Sequence, residues 1–305
     1  MSEHFPRIRI EADEHGYVVV RDGLTFCFYF HRAHEGLGPA LLQALERFQR
    51  ALPPQTLTLH ADSEGYWRTL KPSDWEHIQR SLLHDEWPQV TLISDSKGVP
   101  EFSFSYSGGP LDGPVDADSG GRTCVATFSL PTEYLEQQGP ESVRELALEI
   151  AASLPFTSGY ASLCFDALMD LIGVRQRVRK LVFNYPGMEI IDDFVSQEIG
   201  SRVRGAHWLT FLGQPLLNAL GGASKLRARL STPGIEVLEL DDQRAVISLG
   251  TWPEAGDSTR GATLPAYREL ARILEPWLYH RDSDTLYNPD FPPEEQLRWE
   301  RRFLD

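Results

Sequence analysis

The chain has 305 residues, 41% of them hydrophobic, enough for a packed core and against a disordered polymer. Asp and Glu total 44 against 29 Lys and Arg, a formal charge of −15, and an excess of that sign repels phosphate backbones. Direct nucleic-acid binding is therefore disfavoured, and the charge would equally suit a basic protein partner or plain solubility, while no apolar run approaches the roughly 18 residues that span a bilayer.

Residues 1–16 carry scattered charges and no apolar segment, so the expectation is a cytoplasmic protein without a signal peptide. Cys27, Cys124 and Cys164 are odd in number, far apart and set among apolar residues. They read as small core side chains, not as a disulfide framework or a zinc site.

The N-terminal residues predict strands at Ile8–Ile10, Tyr17–Val20 and Thr25–Phe30, with a hairpin turn at Asp22-Gly23. A helix follows over 38–52, with Leu41, Leu42, Leu45 and Phe48 on one face and Pro39 in its first turn. Pro53-Pro54 stops it. A strand at Thr56–His60 and a helix at Ser73–Leu83 come next, the helix with a capping box of Ser73 and Glu76. Strands follow at Val90–Ile93 and over 101–106, where Phe102, Phe104 and Tyr106 alternate with polar residues.

Residues 107–122 are rich in Gly, Pro and Asp and read as a loop, leading to a strand at Thr123–Leu130. Helices are expected at Pro140–Leu154 and Tyr160–Ile172, then a basic run, Arg175–Lys180, and a strand at Leu181–Asn184. Strands at Ile235–Leu240 and Ala245–Leu249, a helix at Ala266–Leu278 and a short helix from Pro293 complete the chain. The strand, loop and helix of 125–154 resemble those of 246–278, as two related units would, or as any two amphipathic helices of like periodicity would by coincidence. The fold class expected is α+β, with largely antiparallel sheet flanked by helices. Its division is into 1–172 and 173–305, able to pack as one continuous domain.

Several stretches approach catalytic patterns without completing them. His31 and His34 match neither HExxH nor HxxEH. Gly36-Leu37-Gly38 lacks the third small residue of a dinucleotide loop, because Leu41 stands there. Ser162 has no G-x-S-x-G elbow. Asp116/Asp118 and Asp282/Asp284 are DxD pairs, a spacing that holds Mg²⁺ in some enzymes and elsewhere is solvated acid. The acids also group: Asp112, Asp116 and Asp118; Glu189, Asp192 and Asp193; and Glu236, Glu239, Asp241 and Asp242. Two such groups brought together would make an anionic surface that steers a basic partner.

The order of several non-catalytic motifs carries a resemblance. Tyr185-Pro186-Gly187 leads into an acidic segment, then Gly205-Ala-His-Trp-Leu-Thr-Phe-Leu-Gly213, then Leu220-Gly221-Gly222. Ser158-Gly159-Tyr160-Ala161 lies upstream, and Gly250, Pro253 and Gly256-Asp257 downstream. From about Thr123 to Leu278 this resembles the type VI secretion immunity family. The resemblance implies a non-enzymatic antitoxin, without a cofactor. Its partner would be a nuclease effector with a restriction-endonuclease-like fold, bound and blocked in the producing cell's cytoplasm. Tyr160, Pro186, Gly187, Trp208 and Gly213 are the family-pattern positions, read as turns and core packing. The residues expected to touch toxin are Asp112, Asp116, Asp118, Glu189, Asp192 and Asp193. The rival readings are a metal-dependent hydrolase using a DxD pair and an effector-loading chaperone or adaptor.

Overall fold

The computed structural model describes residues 4–12, 16–94, 97–111, 122–191, 198–280 and 290–304. In chain order the elements are β1 (Arg9–Glu11), β2 (Val18–Phe30), α1 (Gly38–Ala51), β3 (Leu59–Ala61), β4 (Trp67–Thr69), α2 (Pro72–His84), β5 (Gln89–Ile93), β6 (Ser103–Ser107), β7 (Cys124–Pro131), α3 (Thr132–Ser153), β8 (Ser158–Ala167), α4 (Val174–Val182), β9 (Glu189–Ile190), β10 (Leu209–Leu212), α5 (Leu216–Ala219), α6 (Gly222–Arg229), β11 (Glu236–Glu239), β12 (Ala245–Ser248), α7 (Pro265–Leu274) and α8 (Pro293–Glu300).

The class is α+β, as expected. The strands form one 12-stranded sheet in the order β11-β12-β10-β8-β2-β7-β6-β5-β3-β4, with β1 beside β2 and β9 beside β8. Pairing is antiparallel, except that β9 runs parallel to β8. The sheet crosses residue 172 without a break, since β8 pairs with β10.

Alternation along β2 divides the sheet into two faces. Leu24, Phe26, Phe28 and Phe30 point to the face that α1 and α3 cover. Phe128 lies at the centre of this layer, its ring 5.2 Å from Phe48, 5.1 Å from Phe104 and 6.3 Å from Phe28. Phe28 reaches Phe211 at 5.1 Å, so the aromatic layer spans both halves of the chain. On the opposite face, α5, α6 and α7 cover the β10–β12 end through Leu212, Ala245, Ile247, Leu217, Leu226 and Leu270. A smaller cluster of Cys27, Tyr29, Val125, Tyr160, Ile199 and Tyr279 continues that layer toward the middle. Beyond it, on β5, β6 and β7, the residues facing the same way include Gln89, Thr91, Ser103, Ser105, Ser107 and Thr127, each half-buried or exposed, and Ile93 and Ser129, which are buried.

The structure departs from the expected elements in several places. Asp22-Gly23 does not turn the chain; β2 runs through it for 13 residues. Tertiary partners satisfy Asp22, whose carboxylate accepts from Ile8 N–H at 2.6 Å and from Arg9 and the Thr132 hydroxyl. The helix expected from Tyr160 is instead β8. Ser158–Phe165 is buried throughout, and a strand covered on both faces shows no alternation to read. The basic run 175–180 and Leu181 belong to α4, with Val174, Val178 and Val182 inward, so no strand forms at 181–184. α3 begins at Thr132, ahead of a kink at Gly139 (φ 79°) before Pro140. β4 had no counterpart in the sequence reading. At α2 the reciprocal cap comes from Asp74, not Glu76: Lys71 N–H donates to Asp74 Oδ2 at 2.7 Å. All three cysteines are buried and free.

Two glycines allow backbones to approach where no side chain fits. A Cβ on Gly187 would lie 1.9 Å from Glu254 O, and one on Gly213 would lie 2.2 Å from Phe156 O. Both also bond to the backbone they approach: Gly187 N–H donates to Ala255 O and Gly213 N–H to Thr157 O, each at 2.8 Å. Gly187→Ala and Gly213→Ala are each expected to cost about 3 kcal/mol through overpacking against fixed carbonyls. Urea unfolding checks this, with Gly65→Ala as a strained but uncrowded comparison, since nothing lies within 4 Å of its Cβ position.

Candidate functional site

The family-pattern residues converge on one buried region. Tyr185-Pro186-Gly187 makes a turn closed by Met188 N–H to Tyr185 O at 3.0 Å. The Gly187 carbonyl accepts from Ser162 Oγ at 3.2 Å, so Ser162 is a buried strand residue serving that turn. Trp208 is fully buried, and its indole N–H donates to Gly250 O at 3.0 Å. The Tyr160 ring stacks on His207, with centroids 4.2 Å apart and planes 20° apart. Tyr160, Pro186, Gly187, Trp208 and Gly213 thus take part in turns, close approaches and core packing.

At the centre of this region is Glu189, with no exposed surface. One carboxylate oxygen, Oε2, accepts from His207 Nε2 and from Arg302 Nη2, both at 2.8 Å. The other, Oε1, lies 3.2 Å from Arg204 Nη2 and accepts from Ile190 N–H at 3.0 Å. Arg302 also donates from Nε to Pro186 O at 2.7 Å, and its guanidinium lies 3.9 Å from the Trp299 ring centroid. Glu300, itself buried, is 4.0 Å from Arg204 and 3.3 Å from His280 Nδ1. Burial alone would raise the Glu189 pKa, but Arg204 and Arg302, with His207, outweigh it and hold the carboxyl well below its usual range. Burial, helped by the nearby Arg302 and Arg204, lowers the His207 pKa despite the bond to Glu189, so the imidazole is neutral. Its Nε2 therefore carries the proton given to Glu189, and Nδ1 is left without a hydrogen bond.

Glu189 was expected at a toxin-contacting surface. The structure corrects this: its carboxylate is enclosed and fully engaged within the chain. Asp112, Asp116, Asp118, Asp192 and Asp193 lie outside the described residues, as do Asp282 and Asp284. The described residues that bound these segments meet, however. Gly200 N–H donates to Thr123 Oγ1 at 2.8 Å, joining the end of the 112–121 segment to the end of 192–197. The Tyr279 hydroxyl donates to Glu198 Oε2 at 2.8 Å, bringing the start of 281–289 to the same place. Glu236, Glu239 and Asp241 lie apart from these, on β11 at the sheet's edge and the turn after it, where they pair with Arg144, Arg227 and Arg244.

Among the described residues no group of three His, Cys, Asp or Glu is arranged to hold a metal ion. His34 is buried and bonds through Nδ1 to the Tyr106 hydroxyl at 2.7 Å, while His31 is exposed. Gly38 lies against the Leu82 carbonyl in helix packing. Among the described residues no helix is long and apolar enough to cross a membrane. Arg204 and Arg302, which neutralise Glu189, were not singled out from sequence. Arg302 stands 113 residues away from its partner, and no local pattern joins them.

Breaking the pair from one side leaves a buried charge. Arg302→Ala is expected to cost about 3–5 kcal/mol in urea unfolding. The pH dependence follows from the two shifts. His207 has a folded pKa below its ordinary 6.5, so the unfolded chain takes the proton first and stability falls as pH drops below about 6.5. Glu189 has a folded pKa below 4.5, so its contribution is complete above 4.5 and is lost as pH falls through the folded value. His207→Gln should therefore show a shallower loss of unfolding free energy than wild type between pH 6.5 and 4.5. Parallel curves over that window would contradict the assignment.

Residues 40–303 match the TsiV family, described as Type VI immunity for VRR-NUC. The chain is also similar in fold to the Pseudomonas aeruginosa T6SS protein PA0821, with a TM-score of 0.78 and 18% identity over 98% of this chain and 88% of that one. No curated protein matches it in sequence. The match extends beyond 123–278, where the motifs carried the resemblance, and it decides for immunity over hydrolase or loading adaptor. The chain belongs to the TsiV family, and its function is type VI immunity against a VRR-NUC nuclease effector.

Proposed function

We propose that the chain neutralises a DNA-cleaving effector in the cytoplasm of the producing cell by binding it directly through an anionic surface. That surface is built from Asp112, Asp116 and Asp118 together with Asp192 and Asp193. The observation that carries this reading is the hydrogen bond from Gly200 to Thr123, which joins the ends of the two acidic segments.

The electrostatics favour this arrangement. A nuclease that handles DNA presents basic groups to phosphate, and a chain of formal charge −15 attracts those groups at long range. Attraction of this kind chiefly raises the association rate, which is what an inhibitor needs when its target cuts on contact. Tight, slow release must then come from short-range contacts, because rim charges contribute little to it.

Two experiments test the reading. Co-expression with the nuclease encoded in the adjacent reading frame should restore survival and intact DNA, with a stoichiometric complex. A variant with Asp112, Asp116, Asp118, Asp192 and Asp193 all replaced by Asn should associate about 10-fold more slowly at low salt and show a flatter salt dependence. An unchanged rate and salt slope in stopped-flow binding would remove these acids from the interface.

A further inference from the structure

We infer that the nuclease docks on the hydroxyl-bearing face of the sheet that the described residues leave uncovered, over β5, β6 and β7, with Trp67 and Trp87 as its aromatic anchors. This inference rests on the immunity reading above and locates the short-range contacts that reading requires.

Strand register defines the face. Thr91 stands opposite Ser105, which stands opposite Thr127, and Ile93, Ser103 and Ser129 form the next row. Among the described residues, Thr91, Ser103 and Ser105 make no side-chain hydrogen bond. An uncharged, hydroxyl-lined sheet offers donors and acceptors at low desolvation cost, and short side chains lose little entropy when covered.

Two tryptophans border this face. Trp87 is 52% exposed and shares a recess with Gln89 and Ser107 at one end of the face. Its ring lies on the Gly109 backbone, where an added Cβ would meet it at 2.3 Å, and the Arg122 guanidinium is 5.5 Å from the ring centroid. Trp67, 50% exposed, lies on β4 in register with Ala61, which places it at the lateral border of the same face. Asp62 fixes that hairpin, accepting from Glu64 N–H, Tyr66 N–H and Arg68 Nε at 2.8–3.0 Å. Exposed tryptophans are a residue type that dominates interface energy.

Charge selects the occupant. Exposed Asp85 and Glu86 immediately precede Trp87, exposed Glu64 lies three residues before Trp67, and Glu101, which precedes β6, pairs with Arg21 at 3.3 Å yet keeps its side chain 58% exposed; against these stand Arg122, over the Trp87 ring, and Arg68, next to Trp67. Indole rings set among carboxylates suit Arg and Lys side chains, through cation–π contact and ion pairing together. A basic nucleic-acid-binding surface of the nuclease supplies those side chains. The face also adjoins the ends of the 112–121 segment, since Leu111 and Arg122 line the same recess as Trp87. Long-range steering and short-range anchoring would then act on one side of the molecule.

The experiment measures binding of a catalytically inactive form of the adjacent nuclease by biolayer interferometry. It compares wild type, Ser105→Arg, Trp67→Ala, Trp87→Ala and Leu238→Arg. Leu238 is on β11, at the opposite edge of the sheet, and is a charge-matched control. Thermal unfolding of each variant should match wild type, because every substituted side chain is at least partly exposed. Ser105→Arg is expected to weaken binding about 100-fold and each tryptophan variant about 10-fold or more, with Leu238→Arg within about twofold of wild type. The inference is overturned if wild type binds and the three face variants bind within about twofold of it, or if Leu238→Arg is weakened as much as Ser105→Arg. Failure of wild type to bind overturns the immunity reading and this inference with it.

Discussion

The enclosed carboxylate of Glu189 is the constraint on which the C-terminal half depends. A buried carboxylate is costly unless opposite charge and hydrogen bonds surround it. Here the partners come from two distant stretches: Arg204 and His207 ahead of β10, and Arg302 after α8. Satisfying one side chain therefore fixes the turn at Pro186, the approach to β10 and the end of the chain together. Hydrophobic residues alone would not specify this arrangement so narrowly, because apolar contact lacks direction. The ion cluster carries direction, and Tyr160 stacked on His207 transmits it to the central strand β8.

That organisation explains why motifs that identify the family look inert as chemistry. Gly187 and Gly213 are places where two backbones touch. Trp208 fills volume and closes one hydrogen bond. An immunity protein has no bond to break, so its defining residues can be those that hold a shape. Cognate specificity is a difference between partners, and it resides in surface that the frame leaves free to vary.

The sequence made the amphipathic helices legible. Leu41, Leu45 and Phe48 on α1, and the helical spacing through α7, gave both elements nearly their full extent. It also made β6 legible, because one face of that strand is open and its polar and apolar residues alternate. It failed where burial was two-sided or partners were distant. β8 carries no alternation, since both of its faces are covered, and so it resembled a buried helix. Asp22-Gly23 has turn chemistry, but Arg9 and Thr132 engage the aspartate from elsewhere in the fold. Glu189 looked like its acidic neighbours in the 189–193 segment. Only three-dimensional proximity to Arg204 and Arg302 separates a buried structural carboxylate from a surface one.

The two faces of the sheet divide the work of the molecule. One is filled by a continuous aromatic layer from Phe104 through Phe128 and Phe28 to Phe211, and it supplies rigidity across the whole width. Among the described residues the other is covered only in part, by α5–α7 at one end and by Tyr29, Tyr160, Ile199 and Tyr279 in the middle. Where that cover ends, serine and threonine replace the apolar residues. The described ends of three acid-containing segments meet at the boundary between the two regions. A rigid sheet beneath short polar side chains loses little entropy when a partner covers it. The same rigidity keeps the flanking tryptophans in position. In this design affinity depends on anchors fixed before the encounter, and the large negative charge contributes chiefly to the speed of the encounter itself.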